Sequence, residues 1–426
     1  MHRQDTARLN AQALATRIRE QGVKQYMLAR AIGVEPLTVN RWLTGKVKRI
    51  SRDNLDRLSN ALGCNAEDLS HMDEADVRAT QVEQSQAARM LVEPRAQAMF
   101  QLAGDFELYE KLLKAVMHAN LPLSDLCEVY NQLTKASIRQ QKFADAREYA
   151  RLTLDYAQRC GNTDREFSAL SNLAAVDGEV GMLGKARAQL EHVVSFAESV
   201  GSGHGRAIAS INLMHAYRLQ ADWHGAIRTA NSCVQYLRDS GNTNQLHHGL
   251  VNISSIARDT GQYALALKLR READNLPELV VSGWTKTYID TAVTLLESLA
   301  GDTKGAADRL RTIYPEVQKL GRMVEDNHVT SASVFRRAGD LEAAQAHLAH
   351  LETNARLGPY DPPFIAAEAA RIAAARGDGQ GARRLRKQAN TQFAALDMAR
   401  WATDDPAVEV GAQFTPPPRL KLKVLP

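Results

Sequence analysis

Asn40 and Arg41 stand side by side, and each carries a side chain able to pair with the edge of a nucleic-acid base. A carboxamide exchanges a donor and an acceptor with adenine, and a guanidinium gives guanine O6 and N7 two parallel donors, each pairing worth roughly 1–3 kcal/mol of discrimination. Shortly after them Lys46, Lys48 and Arg49 gather positive charge, chemistry that holds phosphates and sets salt dependence without reading sequence. A second chemistry recurs downstream at a fixed step of forty: Asn172, Asn212 and Asn252, with Asn131 one place out of register. A carboxamide both donates and accepts, so a stepped ladder of them can satisfy the N–H and C=O groups of an extended peptide; it can equally bond a neighbouring helix. His215, Arg218 and Arg258 follow those asparagines, the two arginines again forty apart, and Arg336 takes the corresponding place two units on. Stacked guanidiniums suit a carboxylate, such as a peptide C-terminus or an acidic side chain; a solvated helix face is the plainer reading.

Other chemistries find no support. There is no nucleophile with a paired base and no phosphate-binding glycine loop, so catalysis is not expected. Cys64, Cys127, Cys160 and Cys233 are far apart and lack nearby ligand partners, which points to reduced packing residues, no disulfide frame, no metal and no cofactor. His204, His247 and His248 read as surface histidines. No apolar run is long enough to span a membrane, and the first twenty residues mix charged and polar types, so a cytoplasmic protein is expected. Charge is unevenly spread. Residues 1–70 hold 12 Lys+Arg against 7 Asp+Glu, whereas the remainder is nearly balanced at 41 against 42. A basic N-terminal module facing a polyanion, followed by a domain with another partner, is the organisation this implies.

The elements that must carry Asn40 and Arg41 are short helices. Between Leu9 and Leu69, apolar residues recur three or four apart at Leu14 and Ile18, Leu28 and Ile32, Val39 and Leu43, then Leu55, Leu58 and Leu62. That spacing predicts four or five helices, each with one buried face. Ala29 allows close helix approach, and Gly33 ends the second helix in a tight turn.

These residues, Gln25 to Val34, Thr38 to Lys46 and Leu58 to Gly63, resemble the phage-repressor Cro/CI (XRE) class of helix-turn-helix domains. The resemblance implies that the helix starting at Glu35 or Pro36 enters the major groove of double-stranded DNA, with Pro36, Leu37, Asn40 and Arg41 facing bases. It also implies that Gln25, Thr38, Lys46, Lys48 and Arg49 hold phosphates. Pro36 and Leu37 depart from the polar residues common there, which narrows the readout or shifts it towards a thymine methyl. A module of this kind that serves only as a protein adaptor is the alternative.

The rest of the chain repeats. One small residue marks each unit, Ala146, Ala186, Ala226, Ala266, Ala306, Ala344 and Ala382, at steps of 40, 40, 40, 40, 38 and 38. Five places earlier stand Gln141, Gly181, Ala221, Gly261, Gly301, Gly339 and Gly377, a turn before each anchor; Gly161, Gly201, Gly241 and Gly321 end second helices. Thirteen places before the anchors, Leu133, Leu173, Leu213, Ile253 and Val293 are expected to be buried. Each unit is thus a helix, a turn and a helix that buries its apolar face only by stacking. The pattern Gly-Asp-x-x-x-Ala at Gly301 to Ala306 and Gly339 to Ala344 resembles tetratricopeptide repeats, with units longer than the usual ~34 residues. A degenerate unit near Leu91 would turn at Ala103 to Phe106.

The expected fold is all-α: a helix-turn-helix domain at 1–70, a helical linker at 71–92, a right-handed repeat superhelix of seven or eight helix pairs at 93–400, and a Pro-rich basic tail at 401–426. The tail from Gly411 breaks the period, and one expectation places it in the chain's own groove as an internal ligand. This combination is similar to the RRNPP group of bacterial peptide-sensing regulators. The similarity implies a homodimeric transcription regulator whose repeat groove binds a short signalling peptide; a DNA-anchored scaffold or constitutive repressor with a protein partner is the alternative.

Overall fold

In the computed structural model of the chain, residues 6–71, 74–118, 120–277, 283–319, 325–354, 357–409 and 422–423 are described. Gly321 and most of the tail from Gly411 onwards, including the segment expected to fill the groove, lie outside them. The chain divides into two compact units, residues 1–87 with 118–121, and residues 88–117 with 122–426.

The first unit holds four helices, α1 (Ala11–Glu20), α2 (Gln25–Ile32), α3 (Pro36–Leu43) and α4 (Arg52–Leu62). Each start and stop has a local cause. Asn10 Oδ1 accepts from Ala13 N at 3.0 Å and starts α1; Ser51 Oγ accepts from Asn54 N at 3.2 Å and starts α4. Pro36 occupies the first position of α3, where its missing N–H costs nothing. Gly33 closes α2 with φ +74°, and Val34 N reaches back to Ala29 O at 3.0 Å. Leu14, Leu28, Ala29, Val39, Trp42, Leu58 and Leu62 form the core, all buried. Each aliphatic side chain there contributes about 1.5–3 kcal/mol by burial. A three-stranded antiparallel sheet accompanies the helices: β1 (Thr6–Leu9) lies between β2 (Arg49–Ser51) and β3 (Ser70–His71).

Helix α5 (Glu74–Val92) leads to the second unit. A short pair, α6 (Pro94–Ala103) and α7 (Phe106–Ala115), turns at Gly104 with Asp105 capping α7. Seven longer pairs follow: α8 (Leu123–Arg139) with α9 (Phe143–Cys160), α10 (Thr163–Glu179) with α11 (Leu183–Ser199), and α12 (Gly203–Leu219) with α13 (Trp223–Asp239). Next come α14 (Thr243–Asp259) with α15 (Tyr263–Asp274), α16 (Gly283–Leu299) with α17 (Thr303–Lys319), α18 (Glu325–Arg337) with α19 (Leu341–Asn354), and α20 (Asp361–Ala375) with α21 (Gly379–Ala395). All seven alanine anchors are buried, which is why the spacing is strict: a larger side chain there would force the two helices of a unit apart. The residue five places earlier has positive φ in every unit, including the non-glycines Gln141 at 59° and Ala221 at 49°. The turn therefore demands this geometry even where no glycine supplies it. Leu133, Leu213 and Ile253 are buried as expected, whereas Leu173 and Val293 are only half-buried.

Successive first helices pack on one another, α8 on α10, α10 on α12, α12 on α14, α16 on α18 and α18 on α20; among the described residues second helices show no comparable packing. The stack thus bends towards its first helices, which form the concave side. Its late units return to its early ones. Trp401 Nε1 donates to Leu219 O at 2.7 Å, its ring meets Trp223 edge-on at 5.4 Å, and the Tyr360 hydroxyl donates to Gly178 O. These partners stand 182 residues apart. Beyond them, Lys423 N donates to Asn231 Oδ1 at 2.7 Å.

Candidate DNA-reading face and ligand groove

Helix α3 divides its residues cleanly. Val39 and Trp42 are buried against the core, and Pro36, Leu37, Asn40 and Arg41 are exposed on the opposite face. Leu37 is 59% exposed, an apolar side chain offered to solvent where a thymine methyl would be contacted. Neighbouring Tyr26 and Met27 on α2 are likewise exposed, at 59% and 54%, two apolar side chains beside Leu37 to which their spacing alone assigns no role.

Gln25 opens α2 and is exposed, and Thr38 is half-buried in the first turn of α3. The loop after α3 is tied to the helix that precedes it: Thr44 Oγ1 donates to Asn40 O at 2.8 Å, and Val47 N to Arg41 O at 3.2 Å. Lys46 and Lys48 are thereby held exposed on a fixed loop, and neither makes an ion pair among the described residues. Arg49 departs from the expectation of a phosphate contact. Its Nε donates to Thr6 Oγ1 and its Nη2 to Thr6 O, both at 3.0 Å, so the guanidinium fastens β2 to β1.

In the second unit the asparagine ladder is partly committed to the fold. Asn131 is fully buried and accepts from Asn172 Nδ2 at 3.5 Å; Asn252 Nδ2 donates to Ile211 O at 3.1 Å on the preceding first helix. Asn172, Asn212 and Asn252 keep some solvent access. The arginines are corrected more firmly, since none is an unpaired guanidinium awaiting a carboxylate. Arg218 Nη1 lies 3.1 Å from Asp259 Oδ2 and Arg258 Nε lies 2.7 Å from Asp259 Oδ1, so one buried aspartate is shared by both. Arg336 pairs with Glu368 at 2.6 Å and with Glu409 at 2.5 Å.

His215 is open to water on the first-helix stripe yet enclosed by surrounding protein, and that enclosure, with Arg218 adding to it, lowers its pKa to about 3. It is a neutral donor and acceptor at neutral pH. Lys135 stands at the same register, eleven places before its anchor, and enclosure plus Arg165 lower its pKa to about 8. His248, lowered to about 4 chiefly by enclosure and then by His247, also feels Arg139 and Lys135 from α8. Lys135, exposed at the register of His215, is thus a further residue of the first-helix stripe, and that shared register was the signal for it. His204 and His247 are half-buried rather than on the surface. His204 Nδ1 lies 3.3 Å from Gln245 Nε2, and His247 Nε2 lies 3.7 Å from Asp274. Among the described residues no cluster of His, Cys, Asp or Glu has metal-binding geometry, and no helix is long and apolar enough to cross a membrane.

Comparison with known proteins follows this division. Residues 13–74 match the family Cro/C1-type HTH DNA-binding domain. No curated protein matches the chain. Among solved structures, the Rap protein complexed with Competence and Sporulation Factor is similar with a TM-score of 0.55 at 11% identity, covering 91% of this chain and 99% of that one. The apo form of RapI gives a TM-score of 0.44 at 12% identity, over 63% of this chain and 94% of that one. The apo form of the quorum sensor NprR from B. thuringiensis gives 0.41 at 14%, over 76% of this chain and 95% of that one. The chain therefore carries a Cro/C1-type helix-turn-helix domain followed by a tetratricopeptide-like helical repeat domain.

Proposed function

We propose that this chain is a DNA-binding transcription regulator whose repeat groove takes a short peptide and passes its presence to DNA binding. The observation that carries the reading is the face of α3: Leu37, Asn40 and Arg41 exposed together beside a fixed loop that presents Lys46 and Lys48. Arg41 and Asn40 supply base discrimination, Leu37 a methyl contact, and the loop lysines affinity. The peptide reading is supported by the concave first-helix stripe, where Asn172, Asn212, Asn252, His215 and Lys135 offer donors and acceptors to solvent. It is also supported by the likeness of fold to a Rap protein whose structure contains Competence and Sporulation Factor.

The chain acts in this reading as a homodimer on two half-sites about one helical turn apart, roughly 34–36 Å. A peptide then changes DNA binding only if it prefers one dimer arrangement over another. Fluorescence anisotropy on DNA from upstream of the chain's own gene tests this, with and without a small-peptide extract of the native culture. The reading expects specific binding that Arg41→Ala weakens tenfold or more and that the extract shifts. Specific binding indifferent to every extract fraction would leave a constitutive repressor or a scaffold in its place.

A further inference from the structure

The segment after Trp401 runs onto α18, α20 and α21, where four arginines receive it. Arg386 Nη2 donates to Pro406 O at 3.1 Å and to Val408 O at 3.5 Å, and Arg371 Nε donates to Val408 O at 3.0 Å. The Glu409 carboxylate takes Arg336 Nη2 at 2.5 Å and Arg337 Nη1 at 3.0 Å, with Arg371 Nε 3.9 Å away. Two backbone carbonyls beside a turn closed by Val408 N on Asp405 O at 3.4 Å, and one carboxylate, are thus gripped in the way an acidic peptide would be. The register is that of the groove. Arg336 continues the places of Arg218 and Arg258, Arg371 that of His215, and Glu368 that of Asn172, Asn212 and Asn252.

The cluster holds more positive charge than its occupant answers. Four guanidiniums face two carboxylates in direct contact, Glu368 and Glu409, with Asp405 acting on Arg386 from further off. Arg386 is 2% exposed and Arg371 7%, yet among the described residues Arg386 Nε, Arg386 Nη1 and Arg371 Nη2 have no hydrogen-bond partner. Buried guanidinium N–H groups without acceptors are costly, and a purely structural lock would be expected to satisfy them. A ligand richer in acceptors than Val408 and Glu409, such as one ending in a carboxylate, would satisfy more of them.

We infer that the Arg336, Arg337, Arg371 and Arg386 cluster is a carboxylate-binding site for an acidic peptide, and that Val408 and Glu409 are its built-in, displaceable occupant. The inference rests on reading the groove as a peptide site and adds the ligand's chemistry: a carboxylate preceded by free backbone carbonyls. A tethered occupant competes at an effective concentration of the order of mM, so an incoming peptide binds weakly until it outmatches that competitor.

The test uses the full-length protein and a fluorescent peptide of the sequence of residues 403–410, Thr-Asp-Asp-Pro-Ala-Val-Glu-Val. Glu409→Gln is expected to tighten probe binding at least tenfold over the unsubstituted protein. The same probe with Gln for Glu should lose that gain, and adding Arg336→Ala should abolish binding. Unchanged probe affinity in a folded Glu409→Gln protein would overturn the inference. Hydrogen exchange of the unsubstituted protein gives a second readout that does not depend on any variant folding. Saturating probe should speed exchange at Ala407, Val408 and Glu409, and continued protection there overturns the inference. The two readings separate cleanly. A DNA response to culture peptides that leaves these amides protected removes this site and keeps the regulator; displacement by the probe with no DNA response to any peptide does the reverse.

Discussion

Removing the two loop lysines together, Lys46→Ala with Lys48→Ala, gives the most direct reading of which face meets DNA. Both side chains are exposed on a loop pinned by Thr44 to Asn40 and by Val47 to Arg41, so their loss should leave α3 in place. Each phosphate contact steepens the salt dependence of log K by about 0.9. Between 50 and 200 mM salt, a fourfold change, one contact accounts for about a 3.5-fold loss of affinity and two for about a twelvefold loss. The double variant should therefore flatten the slope by about 1.8 per DNA-binding unit. Anisotropy titrations on one duplex at five salt concentrations measure it. Arg49→Ala is the internal control: its guanidinium serves Thr6, so it should leave the slope alone and cost about 1–3 kcal/mol of stability through the lost hydrogen bonds to Thr6. A double variant whose slope matches the parent, or an Arg49→Ala variant that flattens it as much as the lysines do, would refute the assignment of this loop to the phosphate backbone.

Trp401→Ala should lose about 3–5 kcal/mol in a denaturant melt, and Trp401→Phe about 1–2 kcal/mol, because the phenyl ring keeps the packing on Trp223 and Phe364 but leaves Leu219 O without its donor. Glu110 tests electrostatics: although burial opposes its ionisation, Lys114, Lys142 and Gln140 together lower its pKa to about 2. A folded-state pKa below the unfolded value stabilises at higher pH and is lost as pH falls from about 4.5 towards 2. The shift alone would be about 3 kcal/mol, reduced to about 1–2 by the half-exposed lysines; Glu110→Gln should be less stable at pH 6 and have a flatter melt-against-pH profile below 4.5. Asn212→Ala with Asn252→Ala should abolish the peptide response with a loss of stability under about 2 kcal/mol, reflecting the one Asn252 bond to Ile211 O. Equal loss of melting temperature and response would mark the ladder as scaffolding.

The repeat period was legible because its anchors answer to steric demands that recur: a small residue such as Ala226 or Ala266 where two helices of a unit meet, and a left-handed residue five places earlier. The outer side of α3 was legible only in part: Val39 is buried as its spacing implies, but its buried companion is Trp42, three places on, and Leu43 is half-buried. The sheet was not, because β1, β2 and β3 have four, three and two residues, too few for alternation to show. Nor were the ion pairs. Asp259 and Glu368 lie on first helices and Glu409 beyond the last repeat, and no period relates an arginine to an acid that reaches it only through folding. Arg49 looked like its lysine neighbours until β1, drawn from the start of the chain, covered it.

The staple of Trp401 on Leu219 and Tyr360 on Gly178 changes what kind of mechanical object the repeat domain is. An open array of repeats is a spring with two loose ends: it frays one unit at a time, and strain applied at one place dies out within a neighbour or two. Fastening residues 182 apart turns the intervening units into a hoop. A hoop has no end from which to fray, so these units should melt in one transition rather than in steps, and fold slowly for a helical protein because the closing contacts are distant in sequence. Curvature is also conserved around a hoop. If a ligand spreads the first helices of two units, the rest must tighten or the staple must open, and either adjustment is felt on the far side of the ring.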